Sequence, residues 1–272
     1  MTSALAGADI GATLTRLRQS TPLVHSITNY VAMNPAANVL LALGASPAMV
    51  HAAEEAAEFA ALADALVINI GTLSAPWVDA MLSAAESAQQ QQTPWVLDPV
   101  AIGATRFRRD ACARLLEFSP TIIRGNASEI IALAGDALGG RGVDSTAASD
   151  EALTAAVALA RRQQTVVAVT GEVDLVTDGR RCVRIAGGHA LMPRVTALGC
   201  ALSGVVAAFA ACEKDPLLAT ACALTCYAEA GAQAGQTPSG PGSFAVAFID
   251  ALHQLSADAL ANRTPLEIST LP

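Results

Sequence analysis

The chain has 272 residues and a mass of 27.6 kDa, with 16 basic against 24 acidic side chains, a net charge of −8 and an isoelectric point near 4.9. Hydrophobic residues make up 53% and charged ones 15%, which excludes disorder as the main state and leaves enough apolar surface for a large core. An acidic balance with no basic run also argues against nucleic acid or an anionic membrane as partner.

Taken in chain order, apolar runs of strand length alternate with longer helical patterns. Strand Leu23–Ile27 leads to helix Asn34–Leu43, Ser46–Val50 to Ala52–Leu62, and Ala65–Ile70 to Ala75–Gln91. Trp95–Leu97 then leads to Arg106–Phe118 and Thr121–Arg124 to Ala127–Ala134, while helix Asp150–Gln163 precedes strand Thr165–Val169. Continuous apolar strands separated by helices predict a parallel sheet covered on both faces, with right-handed crossovers. After Thr170 the pattern changes: Val173–Thr177 and Cys182–Ile185 flank Asp178-Gly179, a hairpin signal. The rest reads as helix: Gly199–Cys212, Leu217–Gly235 and Pro241–Ala259. The expectation is a three-layer α/β/α fold with a mainly parallel sheet, an antiparallel edge and a helical C-terminal third. No linker divides the chain, so 1–272 is expected to form a single domain with its core at about 22–255.

Two residue types narrow the chemistry. Lys214 is the only lysine and lies in a polar corner, so there is no G-x-x-x-x-G-K-[ST] phosphate loop and no candidate Schiff-base lysine in an apolar run. The six cysteines form no C-x-x-C pair or zinc spacing, and 1–20 lacks a basic segment followed by an apolar one, which points to a reducing cytoplasm. The uncharged run Val195–Cys212 approaches the length of a membrane span, but Gly199, Ser203 and Gly204 and the flanking charges favour a buried core helix.

In open α/β sheets ligands bind beyond the carboxyl ends of the strands. There this sequence has Thr28-Asn29, Met49, Gly71-Thr72, Asp98-Pro99-Val100, the segment from Gly125 to Glu129, and Thr170-Gly171-Glu172. Each such residue can equally cap the next helix, but together they suggest a site for a polyanion with a divalent cation. Thr196-Ala197-Leu198-Gly199-Cys200 opens an uncharged helix, whose bare N–H groups and positive dipole end suit a phosphate. Cys200 in that first turn is expected to have a lowered thiol pKa. Asp98 and Glu129 are the acidic groups placed for Mg²⁺, and Arg124 is either a bidentate phosphate ligand or a surface ion-pair residue.

Gly44-Ala45-Ser46-Pro47-Ala48-Met49, Leu97-Asp98-Pro99-Val100, Arg124-Gly125-Asn126-Ala127-Ser128-Glu129-Ile130, Val169-Thr170-Gly171-Glu172 and Gly199-Cys200 occur in this order. Together they closely resemble the hydroxyethylthiazole kinases, ribokinase-like enzymes of thiamine biosynthesis and salvage, over about 22–255. The resemblance implies ATP-dependent, Mg²⁺-assisted phosphorylation of the hydroxyl of 4-methyl-5-(2-hydroxyethyl)thiazole in a homotrimer with sites between subunits. It places Arg124, Thr170 and Asn126 with ATP, and Met49, Ala197 and Asn29 with the thiazole. Glu129 and Asp98 fall to the metal, and Gly199 and Cys200 to catalysis, with Cys200 where most ribokinase-like enzymes carry an aspartate base. The family's usual T-G-T-G-C string reads Thr196-Ala197-Leu198-Gly199-Cys200 here. If the lost glycine needs a positive φ, alanine costs on the order of 1 kcal/mol. Leucine for threonine also removes a hydroxyl able to bond phosphate. Two alternatives stay open: a related kinase of another small hydroxymethyl compound, or a catalytically weakened thiazole- or nucleotide-binding protein. A Rossmann oxidoreductase is disfavoured because no G-x-G-x-x-G follows an early strand.

Overall fold

The computed structural model describes residues 3–135, 147–236 and 239–271. Its strands are β1 (Ser3–Leu5), β2 (Leu23–Ile27), β3 (Ser46–Ala48), β4 (Ala65–Asn69), β5 (Trp95–Asp98), β6 (Ile122–Asn126), β7 (Val166–Thr170), β8 (Val173–Thr177), β9 (Arg181–Ala186) and β10 (Leu266–Thr270). The helices of the first half are α1 (Gly7–Ser20), α2 (Met33–Leu43), α3 (Ala56–Leu62), α4 (Ala75–Gln91), α5 (Arg106–Leu116) and α6 (Ala127–Gly135). Those of the second half are α7 (Ala147–Gln163), α8 (Leu198–Ala210), α9 (Pro216–Ala234), α10 (Pro241–Gln254) and α11 (Ala257–Ala261).

The strands form one sheet in the order β1-β10-β9-β8-β7-β6-β5-β4-β2-β3. From β3 to β7 every pairing is parallel; from β7 to β1 every pairing is antiparallel. The chain adds β3 on one side of β2 and then β4 on the other, so its winding reverses between β2 and β4 and opens a crevice at their carboxyl ends.

Side chains alternate across each strand and fill two separate cores. One joins the sheet to α1, α2, α8, α9, α10 and α11, through Val39, Leu40, Phe209, Tyr227, Phe244 and Phe248 among others. The other joins it to α3, α4, α5, α6 and α7, around Trp77, Met81, Trp95 and Leu159. This is the expected α/β/α sandwich, and the Asp178-Gly179 hairpin is present between β8 and β9, with Gly179 at φ 85°. Among the described residues no helix is long and apolar enough to cross a membrane, and the uncharged run is the core helix α8.

The structure differs from the sequence reading at both ends. Ile10, Leu14 and Leu17 of α1, Leu260 of α11 and Ile268 of β10 are buried in the first core. β10 inserts between β1 and β9, so segments on both sides of 22–255 complete the antiparallel edge. The last predicted helix breaks at Leu255, where ψ is 124°, and Ser256 caps α11 through the Ala259 N–H.

Candidate active site

Strand alternation alone aims the polar strand ends. On β4, Ala65 and Val67 face the layer that holds α8, so Asn69 faces it too. Val96 carries the same face to Asp98 on β5, Ile122 to Arg124 on β6, and Val166 and Ala168 to Thr170 on β7. Asn69 is in register with Asp98, and Asn126 with Thr170. α8 packs over β2, β4 and β5, and its start at Gly199 and Cys200 meets this row.

Ala197 precedes α8 at φ 67°, and no side chain caps the N–H groups that follow. Tyr227 on α9 donates its hydroxyl to the Leu198 carbonyl at 2.7 Å, fixing the start of the helix. Arg124 reaches the same place: a Cβ added at Gly199 would meet Nη1 and Nη2 at 3.5 Å each. Nη2 of Arg124 donates to the Thr170 hydroxyl at 2.6 Å, Nη1 stands 3.8 Å from Asp98 Oδ2, and Nε has no partner. Of the two readings of Arg124, the surface ion-pair residue is excluded, because the side chain is almost wholly buried and aimed at the helix start.

Beside the helix start runs a hydrogen-bonded row. Asn29 donates from Nδ2 to Cys200 Sγ at 3.2 Å and to Asn69 Oδ1 at 2.9 Å. Asn69 donates to Asp98 Oδ2 at 2.7 Å, which also accepts from Ser203 at 2.8 Å. Asn69, Ser203 and Tyr227 are additions to the residues chosen from sequence.

Burial raises Asp98 to about 6, against the lowering effect of Arg124 and of the bonds from Ser203 and Asn69. Burial, then the charge of Asp98, also pushes the Cys200 thiol up, more than Asn29, Asn69 and Arg124 pull it down. The expectation of a lowered Cys200 pKa is therefore overturned: desolvation and the carboxylate outweigh the helix start.

The remaining predicted residues divide. Asn126 and Glu129 lie at the start of α6, where Asn126 Oδ1 accepts from the Glu129 N–H and Glu129 Oε2 from the Asn126 N–H, a reciprocal cap. Glu129 Oε1 also takes the Ala101 N–H at 3.0 Å. Met49 follows β3 at the sheet edge and packs on the first core, while the next carbonyl, Val50, is bonded by His25 Nε2 at 2.7 Å. Ala197 lies directly before α8. Leu198 points into the core and is only 6% exposed, so it does not stand where a hydroxyl would meet phosphate.

Both carboxylates retain capacity for a metal. Asp98 Oδ1 has no hydrogen-bond partner, and each Glu129 oxygen accepts one backbone N–H. Among the described residues no three His, Cys, Asp or Glu side chains gather.

A three-layer sandwich with an uncapped helix start and a buried arginine at the carboxyl ends of its parallel strands has the ribokinase-like fold. Solved structures share this architecture. A ribokinase-like superfamily protein from Enterococcus faecalis V583 superposes with a TM-score of 0.60 at 14% identity, covering 88% of this chain and 89% of the other. The family itself follows from sequence: the chain belongs to the hydroxyethylthiazole kinase family, whose model matches residues 14–258. The hydroxyethylthiazole kinase of Rhizobium leguminosarum bv. trifolii is 61% identical over 254 residues, covering 93% of this chain and 95% of the relative. That of Cereibacter sphaeroides strain ATCC 17023 is 59% identical over 257 residues, covering 94% and 98%. The structure of a hydroxyethylthiazole kinase protein from Pyrococcus horikoshii OT3 superposes with a TM-score of 0.88 at 41% identity, covering 97% of this chain and 99% of that one.

Proposed function

We propose that this chain transfers the γ-phosphoryl group of ATP to the primary hydroxyl of 4-methyl-5-(2-hydroxyethyl)thiazole, as a cytoplasmic enzyme of thiamine biosynthesis or salvage. Family membership supports the substrate. The observation that carries the chemistry is the convergence of Arg124 with the uncapped start of α8 at Gly199. A transferring phosphoryl group is stabilised mainly by positioning and by fixed positive charge, and this corner supplies a guanidinium and bare N–H groups without any lysine.

Arg124, with Thr170 orienting it, contacts the nucleotide phosphates, and Asn126 borders them. Met49, Asn29 and Ala197 surround the thiazole and direct its hydroxyl at Cys200. As the hydroxyl oxygen bonds to phosphorus, its O–H bond breaks and the proton passes to the Cys200 thiolate, while the bond to ADP breaks on the opposite side. Because Cys200 is held mostly as thiol at neutral pH, turnover rises with pH. Asp98 and Glu129 would hold Mg²⁺, which neutralises charge on the phosphate oxygens.

We further propose one domain per chain and a homotrimer with sites between subunits. Exposed Tyr30 and Val31, which directly follow Asn29, together with Leu41 on α2 and Val246 on α10, leave apolar side chains at the surface for a partner copy. A coupled ADP-release assay with hydroxyethylthiazole and a panel of other alcohols tests the substrate; equal or better turnover of another alcohol refutes it. Light scattering at three times the 27.6 kDa protomer mass tests the trimer.

A further inference from the structure

We infer that Asn69 is a positioning residue that holds the Asn29 amide so that its N–H meets the Cys200 sulfur, which acts as hydrogen-bond acceptor and keeps its own proton for exchange outside the row. The inference rests on the reading of Cys200 as the group that meets the substrate hydroxyl.

Two backbone N–H groups settle the polarity, because they can only donate. Gly71 N donates to Asn69 Oδ1 at 2.9 Å, so the Asn69 amide nitrogen must face Asp98 Oδ2. Ala32 N donates to Asn29 Oδ1 at 3.0 Å, so the Asn29 amide nitrogen must face Asn69 Oδ1 and Cys200 Sγ. Neither amide can flip without leaving a donor against a donor. Cys200 therefore receives an N–H and cannot pass its own proton to Asn29.

Asn69 is fully buried, so no solvent replaces it as a partner. Asn29 is held close as well: a Cβ on Gly71 would come within 2.6 Å of its Nδ2. The row also closes on itself. It leaves α8 at Cys200, crosses the ends of β2, β4 and β5, and returns to α8 at Ser203, one helical turn on. Asn69 is the only member that bonds both the Asn29 side and the Asp98 side.

The test uses Asn69→Leu and the milder Asn69→Ser in the full-length protein. Iodoacetamide labelling of Cys200 is quantified by peptide mass spectrometry against Cys212, the other partly exposed cysteine, and kcat and KM for ATP are measured alongside. The expected result is a Cys200/Cys212 labelling ratio lowered about tenfold, with kcat down about tenfold and KM within about twofold, the size of one lost hydrogen bond to the sulfur. A merely structural role would instead open Cys212 and the buried Cys222 and Cys226 to label in both variants. An unchanged ratio in a folded variant overturns the positioning role, whatever happens to kcat. A lowered ratio with unchanged kcat supports positioning and counts against Cys200 as the group that meets the hydroxyl.

Discussion

The Arg124 guanidinium stands over Gly199, both of its terminal nitrogens 3.5 Å from where a methyl group on that residue would lie. That separation is ordinary van der Waals contact, so Gly199→Ala fits the free protein and, inside a helix, adds up to about 1 kcal/mol of stability. The methyl would nonetheless occupy the approach of a phosphate oxygen to the helix start. The expected outcome is a melting temperature equal or higher, with kcat/KM for ATP reduced at least about tenfold. A stable variant with unchanged ATP kinetics would remove Gly199 from the phosphate site.

Ala197 and Leu198 separate into a backbone effect and a packing effect. Ala197 has φ 67°, a conformation that costs an L-residue about 1 kcal/mol, so Ala197→Gly should raise stability by about that amount. Leu198 is buried in the first core, so Leu198→Thr should cost about 1–2 kcal/mol and give no new phosphate contact. Thermal melts and steady-state kinetics of both single variants and the double variant check this. A rise in turnover on Leu198→Thr alone would contradict it.

Cys200 gives a pH signature. Burial and Asp98 raise its pKa, so the thiolate grows with pH and kcat should still be rising from about pH 7 to about pH 9. Cys200→Ala should lower kcat without unfolding the chain. Cys200→Asp should keep activity and lose the alkaline rise, because its carboxylate is already ionised. An inactive, well-folded aspartate variant would count against proton transfer at this position.

The titration of Asp98 shows in stability. Its pKa in the fold is raised from 3.8 to about 6, so the protonated form is favoured in the fold and that contribution is lost as pH rises through about 6. Asp98→Asn should therefore gain on the parent chain as pH rises, from little difference near pH 4 to about 3 kcal/mol near pH 7.5, measured by denaturant unfolding without nucleotide or metal. Turnover should fall sharply in the same variant. A constant stability difference across this range would show that Asp98 ionises normally.

Much of this site was legible from alternation and strand ends. Asp98, Arg124 and Thr170 each follow an apolar residue two positions earlier that faces the layer holding α8. Asn69 obeyed the same rule, but it sits before Ile70 in a run that read as apolar throughout, and Ser203 was hidden in an uncharged helix. Its i+3 spacing from Cys200 was the available signal. The spacing of Ile10, Leu14 and Leu17 was a helical signal for α1 that a core placed at 22–255 left out, whereas β1 has only three residues and pairs with β10 from the far end of the chain. The direction of the Cys200 pKa could not be read locally, because Asp98 and the burying layer reach it only through the tertiary fold.

The most direct measurement is a crystal structure with a non-hydrolysable ATP analogue. Terminal phosphate oxygens are expected within hydrogen-bonding distance of the backbone N–H groups of Gly199 and Cys200 and of the Arg124 guanidinium. Phosphates bound elsewhere, with Arg124 still paired only to Thr170 and Asp98, would contradict this placement.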